Sequence, residues 1–540
     1  MKNRHPIDVF PLLFLVFVIY STFSFAQDSC DKLNVAAIAG AKVIFAGTVA
    51  AGTFAGPPTP ASGRDLTAAY KNVPAFCRVV VLAKPSADSE IKIEVWLPAA
   101  GWNGKLQGIG NGGFAGVIDY QELGAAVSRG YVAAATDTGH SGSPIDASWA
   151  LGHPEKVIDF GHRGIHEMTG VAKEVVQDFY GKPVQRSYFA GCSDGGREAL
   201  MEAQRYPADY DGILAGAPAN NWTPLLSTGV SDTQALTLGP GSFIPPAKIP
   251  AIAAAVLAAC DGLDGVRDGI LNDPRQCHFN PSTMHCKAGE DTDKCLTVPQ
   301  ATALKKIYAG LRDAQGHELF PGFLPGAEDG PGGWGLWITG PAPAKSLDAF
   351  FGLGFFSNMV YEDPAWDYKK FTPEAGFNAA HEKTARPLNA VDADLRPFEA
   401  RGGKLIMYHG WNDPAIPALS TVNYYDAVIA KIGQRDVDSF LRLYMVPGMQ
   451  HCDDGPGANS FGQVGRLNVD DPQRSVDAAL EQWVEKGTAP STIIASKYAG
   501  DDRQRPTMTR PLCAYPLAAK YKGRGDTNDA ANFVCETAKK

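Results

Sequence analysis

The chain has 540 residues, 45% of them hydrophobic and 20% charged, an ordinary balance for a globular enzyme but too long for one simple core. One large elaborated domain, or two domains, is expected. A formal charge of −9 gives no support to nucleic acids, anionic membranes or large polyanions as partners.

At the N-terminus, Lys2 and Arg4 precede an apolar stretch from Val9 to Tyr20, and Ser24-Phe25-Ala26 places small residues before a cut at Gln27. That pattern predicts a secretory signal over residues 1–26. The apolar run is short and contains Pro11, which argues against a membrane anchor. A secreted or periplasmic protein, off the membrane once the signal is removed, is the expectation. Ten cysteines, an even number, suit an oxidising compartment, and the lack of a C-x-x-C pair argues against zinc ribbons and thioredoxin-like chemistry. Spacing alone does not give connectivity. Proximity along the chain favours Cys30–Cys77, Cys260–Cys277, Cys286–Cys295 and Cys513–Cys535, which leaves Cys192 and Cys452 for each other.

From Cys30 to about Asn220 strands alternate with helices. Ile91 to Leu97 alternates apolar and polar residues as a half-buried strand does. Lys105 to Ile109 runs into the Gly-rich loop Gly110-Asn-Gly-Gly-Phe114. Glu122 to Arg129 is helical in character and Tyr131 to Thr136 is a buried strand. Gly164 to Tyr180 carries Ile165, Met168, Val171, Val175 and Phe179 at helical spacing, and Tyr210 to Ala215 is the next strand. The rhythm predicts a mostly parallel α/β sheet.

Within it, Ser187-Tyr-Phe-Ala-Gly-Cys-Ser-Asp-Gly-Gly-Arg-Glu-Ala-Leu200 reads as strand, tight turn and helix, with Gly191-x-Ser193-x-Gly195 at the bend. A nucleophile elbow needs this construction, because only small residues fit two positions either side of the strained serine. The helix start behind it offers backbone N–H groups to an oxyanion. The bland alternative is an ordinary Gly-rich turn.

Residues 221–390 break the rhythm. They are rich in Gly, Pro and Ala, contain four of the ten cysteines, and read as an insertion between the halves of one α/β domain, 27–220 and 391–540. In it, Cys260-Asp-Gly-Leu-Asp-Gly-Val-Arg-Asp-Gly-Ile270 gathers Asp261, Asp264 and Asp268. Carboxylates so close repel one another unless a cation neutralises them, and hard oxygen donors, with the carbonyls of Val266 and Ile270, suit calcium. The alternative is an acidic turn closed by Cys260–Cys277. Further on, Trp334, Trp337, Phe350, Phe351, Phe355, Phe356, Tyr361 and Trp366 supply the insertion's own core, with one or two of them available to line a pocket for a planar ring. From Pro331 to Val360 the only basic residue is Lys345, so a cationic clamp for a free carboxylate is not expected there.

The pattern resumes with a strand at Arg401-Gly-Gly-Lys-Leu-Ile-Met-Tyr408, a helix near Leu419 to Ile432, a strand at Leu441 to Val446 and a last amphipathic helix at Pro472 to Glu485. A serine nucleophile needs a histidine base oriented by a carboxylate, and α/β-hydrolases place them in the order serine, acid, histidine. Only His409 and His451 follow the insertion. His451 lies in a loop just past a strand and Asp413 in His409-Gly-Trp-Asn-Asp413-Pro, also past a strand, so Ser193, Asp413 and His451 are the expected triad. Competing acids are Asp392, Asp394 and Asp453. Cys192 precedes the serine and Cys452 follows the histidine, so their bond would tie the two loops together. Cys192 as a nucleophile is disfavoured because Ser193 holds the central elbow position.

GCSDGGREAL, WNDP and VPGMQHC together resemble the tannase and feruloyl esterase family, which also includes a mono(2-hydroxyethyl) terephthalate hydrolase. The resemblance covers nearly the whole chain after the signal. It implies an α/β-hydrolase fold with a large inserted lid domain, a structural calcium ion in the lid, no organic cofactor, and a bond between Cys192 and Cys452. It also implies oxyanion donors at the backbone N–H groups of Gly113 and Asp194, and hydrolysis of small-molecule esters of phenolic acids, free or carried on a saccharide. Terephthalate-type monoesters on the same triad, or a catalytically silent secreted binding protein, are the alternatives. The acyl group, the alcohol, oligomeric state and use of the Asn221-Trp-Thr223 sequon stay open.

Overall fold

The structure is a computed structural model describing residues 30–33, 37, 38, 40–56, 70–463, 470–500 and 505–537. The expected signal, residues 1–26, lies outside the described residues. In chain order the first strands are β1 (Ala37–Ile38), β2 (Ala41–Val49), β3 (Phe76–Ala83), β4 (Ile91–Pro98), β5 (Lys105–Ile109), β6 (Val132–Thr136), β7 (Arg186–Cys192) and β8 (Gly212–Gly216). They are followed by β9 (Leu311–Arg312), β10 (Glu318–Phe320), β11 (Lys404–Gly410), β12 (Leu441–Val446), β13 (Thr492–Tyr498), β14 (Pro506–Cys513), β15 (Leu517–Tyr521) and β16 (Phe533–Thr537). One ten-stranded sheet runs β1-β2-β3-β4-β6-β5-β7-β8-β11-β12.

The sheet is mixed. From β6 through β12 neighbouring strands are parallel, whereas β1 to β4 and the β4–β6 pair are antiparallel. The expected mostly parallel sheet therefore holds for the half carrying the elbow and is corrected for the other half. The link from Ala83 to Ile91 is too short for a helical crossover, so β3 and β4 pair as a hairpin.

Side chains of the central strands alternate between two cores. Leu405 and Met407 join Ile165, Met168, Val171, Val175 and Phe179 from the helix Gly164–Tyr180 on one face. Ile406 and Tyr408 meet Leu123, Val127, Leu480 and Trp483 from the helices Tyr120–Ser128 and Val476–Lys486 on the other. Strands covered on both sides must be apolar throughout, and β6 and β8 are buried along their whole length.

Residues 221–390 contribute no strand to this sheet. They form helices Trp222–Thr237, Ile249–Cys260, Val298–Ala309, Leu347–Phe355 and Pro373–Leu388 and the β9–β10 hairpin. Trp334 packs in a core built within the insertion, while Phe355 and Phe356 join Phe114, Phe160 and Ile416 in a core shared with the sheet's loops. Disulfides link Cys30–Cys77, Cys260–Cys277, Cys286–Cys295 and Cys513–Cys535. The last fastens β14 to β16 in a C-terminal pair of hairpins, β13–β14 and β15–β16, that the sequence pattern did not signal.

Candidate active site

Ser193 stands between β7 and the helix Asp194–Arg205 with φ +66° and ψ −122°. That backbone is costly for a residue with a Cβ and persists only where its surroundings enforce it. The enforcement is visible on both sides. A Cβ on Gly191 would sit 2.5 Å from the Gly195 backbone, and one on Gly195 would sit 2.8 Å from the Asn111 carbonyl oxygen. The turn is held by Ser193 N–H donating to the Gly216 carbonyl at 3.0 Å and Arg197 N–H donating to the Ser193 carbonyl at 3.1 Å.

The Gly110–Phe114 loop is fastened to the elbow helix. Gly195 N–H donates to Asn111 O at 2.8 Å, and Asn111 N–H donates to Glu198 Oε2 at 2.8 Å. Burial, with the Asp194 charge adding to it, holds the Glu198 carboxyl well above the usual range. From the other side His140 Nε2 donates to the Phe114 carbonyl at 2.8 Å while its ring stacks on Trp149 at 3.8 Å. Burial lowers that imidazole to about 4, so it stays neutral at ordinary pH. Gly113 takes φ +61°, and a Cβ there would meet the Pro144 carbonyl oxygen at 2.3 Å. Gly113, Ser193 and Asp194 line one cavity. The Asp194 carboxylate points away to Arg197 at 2.7 Å, whose guanidinium also donates to the Gly161 and Phe160 carbonyls.

Asp413 and His451 come together at the ends of β11 and β12. His451 Nδ1 donates to Asp413 Oδ2 at 2.8 Å, which leaves Nε2 as the free acceptor. Asp413 Oδ1 accepts the Ala415 and Ile416 N–H groups at 2.8 and 3.0 Å, and His409 Nε2 stands 3.2 Å from Oδ2. Burial alone would raise the Asp413 carboxyl, but the His451 charge and the two histidine hydrogen bonds outweigh it and hold it far below the usual range. Asp413 therefore stays ionised. His409 is wholly buried between Thr421 Oγ1 and the Ile416 carbonyl, so it braces the acid. Of the competing acids, Asp392 is exposed and Asp394 pairs with Arg396.

The histidine loop is anchored three ways. Cys452 bonds to Cys192 across 260 residues with Cα atoms 6.0 Å apart. Gln450 donates to the Ala327 and Asp329 carbonyls of the insertion at 2.7 and 2.8 Å. Trp337 lies edge-on to the His451 ring, 4.9 Å between centres.

The cavity's remaining wall includes Trp222, Leu225, Leu226, Phe323, Trp337 and Phe351, with Thr228 and Asp348 among them, and no lysine or arginine lines it among the described residues. Of the aromatic run, Trp337 and Phe351 line the cavity, Phe355, Phe356 and Trp334 are core, and Phe350 and Tyr361 are exposed. Trp222, Phe323 and Asp348 were not singled out in the sequence, since helical spacing alone does not reveal which face meets a distant loop.

In the acidic loop, Asp264 Oδ1 accepts Val266 N–H, Asp268 Oδ1 accepts Ile270 N–H and Asp261 Oδ1 accepts Gly269 N–H. Burial raises the Asp264 carboxyl, and the charges of Asp268 and Asp261 add to the rise. An all-oxygen set under mutual repulsion fits a hard cation in donor chemistry. Against that, Arg510 takes Asp268 Oδ2 at 2.7 Å, and among the described residues no three acidic, histidine or cysteine side chains converge into a ready-made cage.

The profile described as "Tannase and feruloyl esterase" matches residues 77–536. An uncharacterized esterase of Xanthomonas campestris pv. campestris is 39% identical, covering 95% of this chain and 92% of the relative. A probable feruloyl esterase B of Aspergillus clavatus is 34% identical, covering 85% of this chain and 86% of the relative. The crystal structure of feruloyl esterase B from Aspergillus oryzae superposes with a TM-score of 0.85 at 28% identity, over 95% of this chain and all of that one. An α/β core whose elbow serine shares its cavity with a Gly-rich loop, together with these likenesses, makes the chain a member of the tannase and feruloyl esterase family of ester hydrolases.

Proposed function

We propose that the protein is a secreted or periplasmic serine carboxylic-ester hydrolase acting on esters of phenolic acids. The carrying observation is the cavity lined together by Ser193, Gly113 and Asp194 under walls of Trp222, Trp337 and Phe351. In the proposed mechanism His451 Nε2 takes the Ser193 proton as the alkoxide attacks the ester carbonyl. The two backbone N–H groups stabilise the tetrahedral oxyanion. The alcohol leaves with the proton from His451; water, deprotonated in turn by His451, then attacks the acyl carbonyl, and Ser193 leaves with the proton that His451 returns to it. Asp413 keeps His451 in the Nδ1–H tautomer throughout.

Flat apolar walls favour a planar aromatic acyl group, and relatives named as feruloyl esterases support the phenolic reading. The lack of a lining cation works against terephthalate-type monoesters. Five disulfides support an oxidising compartment, and no helix among the described residues is long and apolar enough to cross a membrane. The test is a panel of methyl ferulate, methyl gallate, an aliphatic p-nitrophenyl ester and a terephthalate monoester, with a serine-reactive phosphonate as reporter. Turnover of ferulate or gallate with phosphonate on Ser193 is expected. Activity confined to the aliphatic ester would discard the phenolic assignment, and absence of labelling would favour a silent binding protein.

We also propose that Asp261, Asp264 and Asp268, with the Val266 and Ile270 carbonyls, hold a structural calcium ion. It stands outside the catalytic steps. Chelation and dialysis are expected to lower the melting temperature by a few degrees, as loss of a ligand of the native state does, with recovery on adding calcium but not magnesium. An unchanged melting curve at verified zero metal content would remove the ion from the account.

A further inference from the structure

Asp348 is a carboxyl in the wrong place for a purely apolar acyl pocket. It is 8% exposed and lines the cavity that contains Ser193. It sits in the first turn of the helix Leu347–Phe355, where the helix dipole favours an acid. The dipole accounts for an acid at a helix start but not for one directed into the substrate cavity.

Behind it stands a second acid. The helices Trp222–Thr237 and Leu347–Phe355 cross at glycines. A Cβ on Gly229 would lie 2.7 Å from the Asp348 carbonyl oxygen, and one on Gly352 would lie 2.9 Å from Val230 N. This close crossing carries Asp232, 3% exposed, to the same buried seam. Asp232 Oδ2 finds no hydrogen-bond partner. Burial raises both carboxyls, and at Asp348 the charges of Asp232 and Asp413 add to it. A buried carboxyl facing a cavity without cations is costly unless something there hydrogen-bonds it.

We propose that Asp348, backed by Asp232, is the specificity-determining residue that accepts the ring hydroxyl of a phenolic acyl group. This rests on the phenolic-ester reading above and names the group that produces it. A hydroxyl donated to a buried oxygen satisfies both partners, whereas an acyl ring without the hydroxyl leaves the acid unpaired. Sites built to bond a substrate hydroxyl discriminate strongly against analogues lacking it. A carboxylate-bearing ring would bring one more negative charge against Asp348 and is excluded by the same group.

The experiment compares methyl p-coumarate with methyl cinnamate, which differ in one hydroxyl, on the wild-type chain, Asp348→Leu and Asp348→Asn. Melting curves and phosphonate labelling of each protein verify its fold. The wild type is expected to favour the coumarate by about tenfold or more in kcat/KM, mostly through KM. Asp348→Leu should erase that preference, lowering kcat/KM for the coumarate about tenfold more than for the cinnamate, and Asp348→Asn, which keeps an acceptor oxygen, should retain most of it. Equal loss on both esters, or a preference that survives Asp348→Leu, overturns the inference alone. The wild-type ratio needs no variant, and a ratio near one also overturns it. A wild type that hydrolyses neither ester while still cleaving the aliphatic one overturns the phenolic reading itself.

Discussion

Replacing Ser193 with alanine is expected to lower kcat for a phenolic-acid methyl ester by roughly 10⁴- to 10⁶-fold, the cost of removing the nucleophile from a working triad. No thiol stands ready as a substitute, because Cys192 is held in its bond to Cys452. The fold should be indifferent. Ser193 is wedged at φ +66° by Gly191, Gly195 and the Asn111 carbonyl, and alanine carries the same Cβ into the same place. Ser193→Gly should if anything melt slightly higher, since glycine adopts positive φ without the steric penalty. Steady-state hydrolysis and thermal melting measured together check both statements. Residual activity within tenfold of wild type, in a preparation free of contaminating esterase, would remove Ser193 from the mechanism.

The second large effect is expected at Asp413. Asp413→Asn should cut kcat by about 10⁴-fold, the scale found when a triad acid becomes an amide, while KM moves only severalfold. The hydrogen-bond pattern explains why the amide has no harmless orientation. The Oδ1 position receives two backbone N–H donors, from Ala415 and Ile416. The Oδ2 position receives His451 Nδ1 and faces His409 Nε2. An NH₂ group placed at Oδ1 opposes two fixed donors. Placed at Oδ2, it drives His451 into the tautomer with the proton on Nε2, which then cannot accept one from Ser193. Single-turnover and steady-state kinetics on the same ester check this. A kcat within tenfold of wild type would point to another acid as the orienting group.

The sequence made the elbow legible because its signals are local. A strand-forming run, two glycines flanking a serine and a helix start lie within fourteen residues, and the backbone follows them. β5, β12 and the helix Gly164–Tyr180 begin and end where the pattern placed them, and in the helix the buried residues repeat with the period of the element itself. The Asp413–His451 pair could be reached because each residue follows a strand, although the two are 38 residues apart in sequence. The antiparallel half of the sheet was missed for the opposite reason. Phe76-Cys-Arg-Val-Val-Val-Leu-Ala83 is as strand-like as any stretch, but its direction depends on a short link to β4 and not on its own composition. Glu198 holding Asn111, His140 under Phe114, and Asp348 at the cavity wall were also invisible. Each is an unremarkable polar residue along the chain and acquires meaning only when another element packs against it.

The bond between Cys192 and Cys452 closes a covalent ring that contains all of residues 221–390. Ser193 and His451 both lie just inside that ring, each one residue from the cysteine that closes it. Cys452 follows Cys192 by 260 residues, so in a chain emerging N-terminus first the clasp closes late. A protease that nicks the insertion yields two pieces that still migrate as one until a reductant opens the clasp. Cleavage within the insertion therefore need not separate Ser193 from His451.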